Sequence, residues 1–464
     1  MTQEDLAVVI LAAGEGTRMK SRLPKVMHPL AGRPMLDHVI ASVSALSPQR
    51  IVVVAGPNMQ AVADRAQPHP TVIQEERLGT GHAVGIAKPL LDGILEPGGA
   101  GDVLVVYGDT PLLTADTLQQ MYETRRGASG KGAVPEIVGL AFRPEDAAQY
   151  GRVLLDASGA VERIIEFADA SAAERQLNLC NAGVLLAAGA VLDELLSNLS
   201  SDNAKGEYYL TDIYALARAR GYRAVMTLGD AEEVLGVNDR RELAGAEAIL
   251  QRRLRAAAMR AGVTFIDPQS VWLSFDTELA QDVVVQPSVY FGPGVRVGAG
   301  AEIRAFSHLE GDPKKNAFVD VGPGVQVGPF ARLRPGADLR EGSRVGNFVE
   351  VKNTILQPGA KASHLTYLGD TDVGIDANIG AGTITCNYDG FNKYRTTIGK
   401  GAFIGSNSAL VAPVTVGEGA IVAAGSTITF DVEDDALAVA RGRQSNIEEG
   451  GARFRKARQD PQDS

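Results

Sequence analysis

The stretch Val321-Gly322-Pro323-Gly324-Val325-Gln326-Val327-Gly328-Pro329-Phe330-Ala331-Arg332-Leu333 carries an apolar residue at every sixth position, a step that continues through Leu339, Val345 and Val351. It also runs through Phe291, Val297, Ile303 and Leu309, slips after Val351, and returns at Ile398, Ile404, Leu410, Val416, Val422 and Ile428. One face of a helix needs steps near 3.6 residues, so a period of six is not helical. It fits a solenoid of short strands and tight turns, in which three hexads close one triangular coil and β-branched side chains stack into a continuous core. Glycine follows several of the apolar positions (Gly298, Gly328, Gly405, Gly417), relieving the backbone where it turns. A Gly-rich β-sandwich would need the same spacing to arise by accident in run after run. The segment Cys386 to Arg395 is too polar and aromatic for a buried coil and is predicted to project as a loop, a frequent carrier of function.

Working outward, Arg240 to Arg260 is charged and Ala-rich, with Leu243, Ile249, Leu250 and Leu254 near one stripe, and predicts a connecting helix. Upstream, apolar β-rich runs (Leu6–Leu11, Ile51–Ala55, Val103–Val106) alternate with helical patterns such as Leu36, Val39, Ile40, Val43 and Leu46 after Pro34. That alternation predicts an α/β domain built on a parallel sheet with crossover helices. The chain thus reads as a Rossmann-like α/β domain over 1–238, a connecting helix over 239–262, the solenoid over 263–440 and a loosely held tail over 441–464.

The 464 residues carry a net charge of −11, against a protein whose main task is to hold nucleic acid. Cys180 and Cys386 stand far apart and outside any metal-ligand spacing, which fits a reducing, cytoplasmic setting. The apolar run from Leu6 to Ala13 stops at Gly14, too short for a signal peptide or a membrane span.

After the first strand comes Leu11-Ala12-Ala13-Gly14-Glu15-Gly16-Thr17-Arg18-Met19, then Lys25. Such a glycine turn brings backbone N–H groups close to phosphates. It is neither a dinucleotide fingerprint, since Met19 stands where the third glycine belongs, nor a P-loop, which needs Gly-Lys-Ser/Thr. Gln74, Leu78-Gly79-Thr80-Gly81-His82 and Tyr107-Gly108-Asp109 also follow strands, so all gather at the carboxyl edge of the sheet, where open α/β sheets bind ligands. In the solenoid, Arg334 and Lys352 each follow a core position and repeat in phase, which points to a phosphate site. His364 offers a base able to take a proton from a sugar ammonium, with Glu350 as its orienting partner.

These segments, with Tyr150-Gly151-Arg152, Gly206-Glu207-Tyr208-Tyr209 and Val237-Asn238-Asp239, resemble the nucleotidyltransferase half of the bacterial N-acetylglucosamine-1-phosphate uridylyltransferase family. Val349-Glu350-Val351-Lys352, Lys361 to Asp370 and Asn378 to Gly390 resemble the acetyltransferase half of the same bifunctional family, so the resemblance covers nearly the whole chain. It implies a left-handed parallel β-helix and a cytoplasmic homotrimer with sites between subunits. It also implies two reactions: acetyl transfer from acetyl-CoA to glucosamine-1-phosphate, and uridylyl transfer from UTP to N-acetylglucosamine-1-phosphate. The product, UDP-N-acetylglucosamine, is a precursor for peptidoglycan and lipopolysaccharide.

By resemblance, Asp109 and Asn238 carry Mg2+, Arg18 and Lys25 face phosphates, Gln74, Gly79 and Thr80 the uracil, and Gly151, Glu166 and Asn181 the sugar. Leu11, Ala12, Gly14, Tyr107 and Gly108 complete that site. His364 is the general base of the other, with Arg334, Lys352, Tyr367, Asn378 and Lys393 on the sugar phosphate and Ala381, Asn387, Tyr388, Ser406, Ala424 and Arg441 on acetyl-CoA. Gln149 stands where the family commonly has glycine, and no role follows for Gly206 to Tyr209. Two rival readings, a nucleotidyltransferase whose repeats only oligomerise and a scaffold with a degenerate nucleotide domain, conflict with the retained His364, Tyr367, Asn387 and Tyr388, and with Lys25, Asp109 and Asn238, respectively.

Overall fold

A computed structural model describes residues 3–91, 93–95, 101–127, 134–147 and 150–459. Gln149 lies outside them. The chain divides into two compact units, Met1–Leu254 and Arg255–Ser464.

Among the described residues the main sheet of the N-terminal unit has nine strands: β1 (Gln3–Ala12), β2 (Pro48–Ala55), β3 (Thr71–Ile73), β4 (Asp102–Tyr107), β5 (Ile137–Phe142), β6 (Arg152–Leu155), β7 (Val161–Ile165), β8 (Cys180–Ala188) and β9 (Ala224–Leu228). Seven of them run in the order β9-β5-β8-β4-β1-β2-β3, with β6 and β7 added beside β8. Successive side chains of β1 alternate between two cores: Ala7, Val9 and Leu11 in one, Leu6, Val8 and Ile10 in the other. A strand covered on both faces must read as an unbroken apolar run, as this one does. Helices α1 (Met35–Ser44), α2 (Gln60–Ala66) and α4 (Ala115–Arg125) contribute to one core, and α3 (Thr80–Ala87), α5 (Gly189–Leu196) and α6 (Ile213–Ala219) to the other.

The expected parallel sheet is mixed. Strand β8 is antiparallel to both β4 and β5. The reason lies in how the chain reaches it: between Phe142 and Cys180 it forms the antiparallel β6–β7 hairpin in place of a crossover helix, so β8 enters from the opposite end.

Helix α7 (Arg240–Arg260) occupies the predicted range. Its Leu243, Ala246, Ile249 and Leu250 pack with Leu30, Met35, Leu112 and Val237. Glu247 accepts from the Ala31 N–H at 2.8 Å, and Arg253 donates to the Leu112 carbonyl at 2.7 Å. The first part of α7 therefore belongs to the core of the N-terminal unit.

The C-terminal unit is a parallel β-helix with three faces of ten, nine and eight short strands. Every hexad residue from Phe291 to Ile428 named above is buried. The slip in the period has a simple source. Val327 pairs with Val345 one coil on, but Val345 pairs with Ala362 and Ala362 with Ile379, coils shorter by one residue. The loop from Cys386 projects as expected, closed by a bridge between Tyr388 and Lys393, with Phe391 90% exposed. The tail contains a helix, α8 (Gly450–Gln459), with no buried side chain. Both cysteines are free thiols.

Candidate functional site

At the carboxyl edge of the N-terminal sheet, Gly108 N–H donates to the Leu11 carbonyl at 2.9 Å, and Val237 N–H to the Asp109 carbonyl at 2.9 Å. These bonds bring Asp109 and Asn238, far apart in sequence, to one place. The buried Lys25 ammonium donates to the Asp109 carboxylate and, at 3.1 Å, to the Asn238 side-chain oxygen. Gly16, in the left-handed region (φ 64°), makes room for this lysine: a Cβ there would stand 2.6 Å from Lys25 Cβ. Leu11 and Ala12 are buried at the end of β1 and offer the site only backbone, whereas Gly14 and Arg18 are exposed beside it. Among the described residues no three His, Cys, Asp or Glu side chains gather to bind a metal. The donor set is instead one carboxylate and one amide oxygen focused on a single positive charge. Two hard oxygens, leaving room for waters and phosphate, suit Mg2+.

On the neighbouring loop, buried Gln74 donates to the Gly79 carbonyl at 3.1 Å and faces His82 Nδ1 at 3.1 Å. Gly79 has φ 107°, and a Cβ there would meet the Tyr208 backbone at 2.7 Å. Tyr208 N–H donates to Leu78 at 2.7 Å, its carbonyl accepts from Gly81 at 2.8 Å, and Leu210 N–H donates to Thr80 Oγ1 at 3.0 Å. The Gly206 to Tyr209 segment thus clamps the Gly79–Thr80 turn at the start of α3, a role no local sequence signal reveals.

The third group surrounds Tyr107, which together with Asn181, Gly183 and Thr211 lines a small crevice. Burial, then the charges of Glu166 and Asp109, push the Tyr107 hydroxyl above its usual range, so it stays protonated. Asn181 N–H donates to the Gly151 carbonyl at 2.9 Å, and Glu166 accepts from Thr211 at 3.1 Å. Arg152 is not at this site. Its buried guanidinium donates to the Ala147, Tyr150 and Arg175 carbonyls and braces the loop.

In the β-helix, His364 is exposed, and its Nδ1 lies 2.6 Å from Asn347 Oδ1. Asn347 stands directly beside it one coil earlier. An amide oxygen accepts, so Nδ1 carries the hydrogen and Nε2 is left as the base. Glu350 does not orient this ring, contrary to expectation. It accepts from Arg334 at 2.7 Å, because the strand register stacks Glu350 over Arg332 and beside Arg334.

Ala362 pairs with Ile379, Ile379 with Ile404 and Ile404 with Val422, so the residues two further on share one corner. These are His364, Ala381, Ser406 and Ala424. Arg441 donates to the Ala424 carbonyl at 2.7 Å and closes the far end. His364 stands at the head of this column.

Arg334 and Lys352 stack on adjacent coils, and Lys352 is followed in register by Gly369. There a Cβ would collide with the Tyr367 hydroxyl at 2.4 Å and the Asn387 amide at 2.7 Å. The loop returns Lys393 against Lys352. That contact, then burial and the charges of Lys393 and Arg334, hold the Lys352 ammonium below its usual range. Three cations in one place favour an anion. Asn387 is buried and donates to Asp370, while Tyr388 is exposed on the projecting loop. Asn378 lies on the coil after Lys361, in register with it and with Phe403.

A nucleotidyltransferase sheet in series with a transferase-type solenoid defines a two-centred transferase. Residues 8–205 match the MobA-like NTP transferase domain and residues 395–429 the bacterial transferase hexapeptide repeat, which makes the solenoid a left-handed parallel β-helix. The chain is 54% identical to the bifunctional protein GlmU of Paramagnetospirillum magneticum, with 98% of each chain covered. It is 56% identical to that of Rhodospirillum rubrum and 48% identical to that of Zymomonas mobilis, with 97% of each chain covered in both cases. The chain belongs to the GlmU family.

Proposed function

We infer that the N-terminal unit transfers the uridylyl group of UTP to N-acetylglucosamine-1-phosphate and that the C-terminal unit acetylates glucosamine-1-phosphate from acetyl-CoA. The observation that carries this reading is the focus of Asp109, Asn238 and Lys25 at one sheet edge, matched in the other unit by His364 at the head of its column.

In the first reaction a sugar-phosphate oxygen attacks the α-phosphorus of UTP and pyrophosphate leaves. Positioning and charge neutralisation supply the catalysis, and no protein nucleophile is needed. Asp109 and Asn238 would hold Mg2+, which offsets phosphate charge when bound. Lys25 and Arg18 face the phosphates, Gln74, Gly79 and Thr80 the base, and Gly151, Glu166 and Asn181 the sugar. In the second reaction His364 Nε2 takes a proton from the sugar ammonium. The freed amine forms a bond to the acetyl carbon, the thioester C–S bond breaks, and the proton that the nitrogen sheds on becoming an amide ends on the departing thiolate. Arg334, Lys352 and Lys393 bind the sugar phosphate, with Tyr367 and Asn378 beside them. The acetyl-CoA lies along Ala381, Ser406, Ala424 and Arg441, near Asn387 and Tyr388. The setting is the cytoplasm; no helix among the described residues is long and apolar enough to cross a membrane.

The assembly is a homotrimer. What supports it is an exposed ridge of Phe306, Phe330, Phe348 and Leu365, its rings stacked 4.9 and 5.2 Å apart, running beside Tyr367 and ending next to His364. A contiguous apolar ridge of this kind marks an interface, and closed symmetry buries it without an open edge. Phe330→Glu is expected to give monomers by light scattering, with pyrophosphate release retained and CoA release lost. Trimers that acetylate normally would place the interface elsewhere.

A fragment ending at Leu254 keeps the packing of α7 on Leu30 and Leu112. It is expected to be monomeric and to release pyrophosphate from UTP at the full-length rate, with no release of CoA. Acetylation by this fragment would overturn the division of labour.

A further inference from the structure

The loop proposed to hold the UTP phosphates is fastened at both ends by arginines outside the proposed ligand set. Arg77 Nε donates to the Ala13 carbonyl at 3.0 Å, and its Nη1 pairs with Glu15. At the other end, Arg240 Nε donates to the Met19 carbonyl at 3.3 Å and its Nη1 to His28 Nδ1 at 3.3 Å. The carbonyls that bracket Gly14 to Arg18 are thus both taken by guanidinium groups. A loop whose end carbonyls are tied back leaves its N–H groups free to turn toward an anion. Each arginine also ties the loop to a second element. Arg77 lies three residues before α3 on the segment that carries Gln74 and Gly79, and Arg240 opens α7 two residues after Asn238.

We propose that Arg77 and Arg240 are positioning residues for uridylyl transfer, acting through the backbone of the Ala13–Met19 loop and not by contact with phosphate. The proposal rests on the reading of that loop as the nucleotide site. A guanidinium serves here because it directs two donors at once in a fixed plane, which a lysine does not. Arg77 meets a carbonyl and a carboxylate, Arg240 a carbonyl and an imidazole. Holding the loop in advance removes an ordering cost from UTP binding and leaves the chemical step alone.

The test uses the full chain, with pyrophosphate and CoA release measured on the same preparation. Arg77→Ala and Arg240→Ala are each expected to raise the KM for UTP about tenfold, with kcat within twofold and acetyl transfer unchanged. The variants Arg77→Lys and Arg240→Lys, which keep the charge, are expected to show the same defect. His28→Phe is expected to raise the KM in part, and His28→Phe combined with Arg240→Ala to be no worse than Arg240→Ala alone. Full rescue by lysine would mean that these arginines act as charges on the phosphates, and an unchanged KM would mean that the loop needs neither; either result overturns the proposal. Lys25→Ala separates this from the underlying reading: if UTP turnover survives that change, the loop is not the nucleotide site.

Discussion

Asp109→Ala is expected to reduce pyrophosphate release at least a thousandfold, about 4 kcal/mol of transition-state stabilisation, while acetyl transfer stays within twofold of normal. Asp109 supplies the only carboxylate in the Lys25–Asp109–Asn238 cluster, and that cluster is assembled by backbone bonds that do not depend on it. The Asp109 carbonyl still accepts from Val237, so the alanine variant keeps the strand end and loses only the charge. A steady-state assay of both half-reactions across a magnesium titration decides the matter. Full uridylyl transfer by the variant at ordinary magnesium would remove Asp109 from the site. Asn238→Ala should follow Asp109→Ala in direction and be milder, since a neutral amide oxygen contributes less to holding a cation than a carboxylate does.

His364→Ala is expected to lower CoA release by roughly a hundred- to ten-thousandfold, the range found when a general base is removed, with uridylyl transfer untouched. The geometry adds a second arm. Asn347 fixes which ring nitrogen of His364 carries the hydrogen, so Asn347→Ala should reduce kcat for acetyl transfer roughly tenfold with little change in the KM for either substrate. Glu350→Gln, by contrast, disturbs the partner of Arg334 and should appear in the KM for the sugar phosphate. If Glu350→Gln matched His364→Ala in kcat and Asn347→Ala did nothing, the orientation of the base would have to be reassigned.

The contrast between Asn347 and Glu350 shows what a sequence of this kind reveals and what it withholds. The hexad period is a property of consecutive residues, and the solenoid's buried positions were legible where the phase holds, as far as Val351 and again from Ile398 to Ile428. Partnerships between coils depend on the length of each coil, which the period alone does not give. Once the local coil is known to be one residue short of three hexads, stepping back one coil from His364 lands on Asn347, and Glu350 falls on the next face. In the N-terminal unit the gathering of strand-end residues at one edge was likewise readable from the βα alternation. The Tyr208 clamp on Gly79 and the antiparallel β8 were not, because both depend on contacts between segments distant along the chain. The Gly206-Glu207-Tyr208-Tyr209 motif was visible but mute, since it acts through backbone atoms that any residue possesses.

The two shortened coils have a consequence for how the β-helix finds a single structure. In a stack of identical coils, a stretch of chain could shift by one whole turn and restack with nearly the same buried residues, leaving several near-degenerate arrangements. Coils of unequal length remove that degeneracy. A shifted copy would place Ala362 and Ile379 out of step with the longer coils on either side, from Val327 to Val345 before them and from Ile379 to Ile404 after them, exposing core side chains and breaking the ladder on all three faces. The irregular coils are also those that carry Lys352, His364, Tyr367 and Asn378. The same departure from the repeat that frames the acetylation centre therefore acts as a registry key for the whole stack.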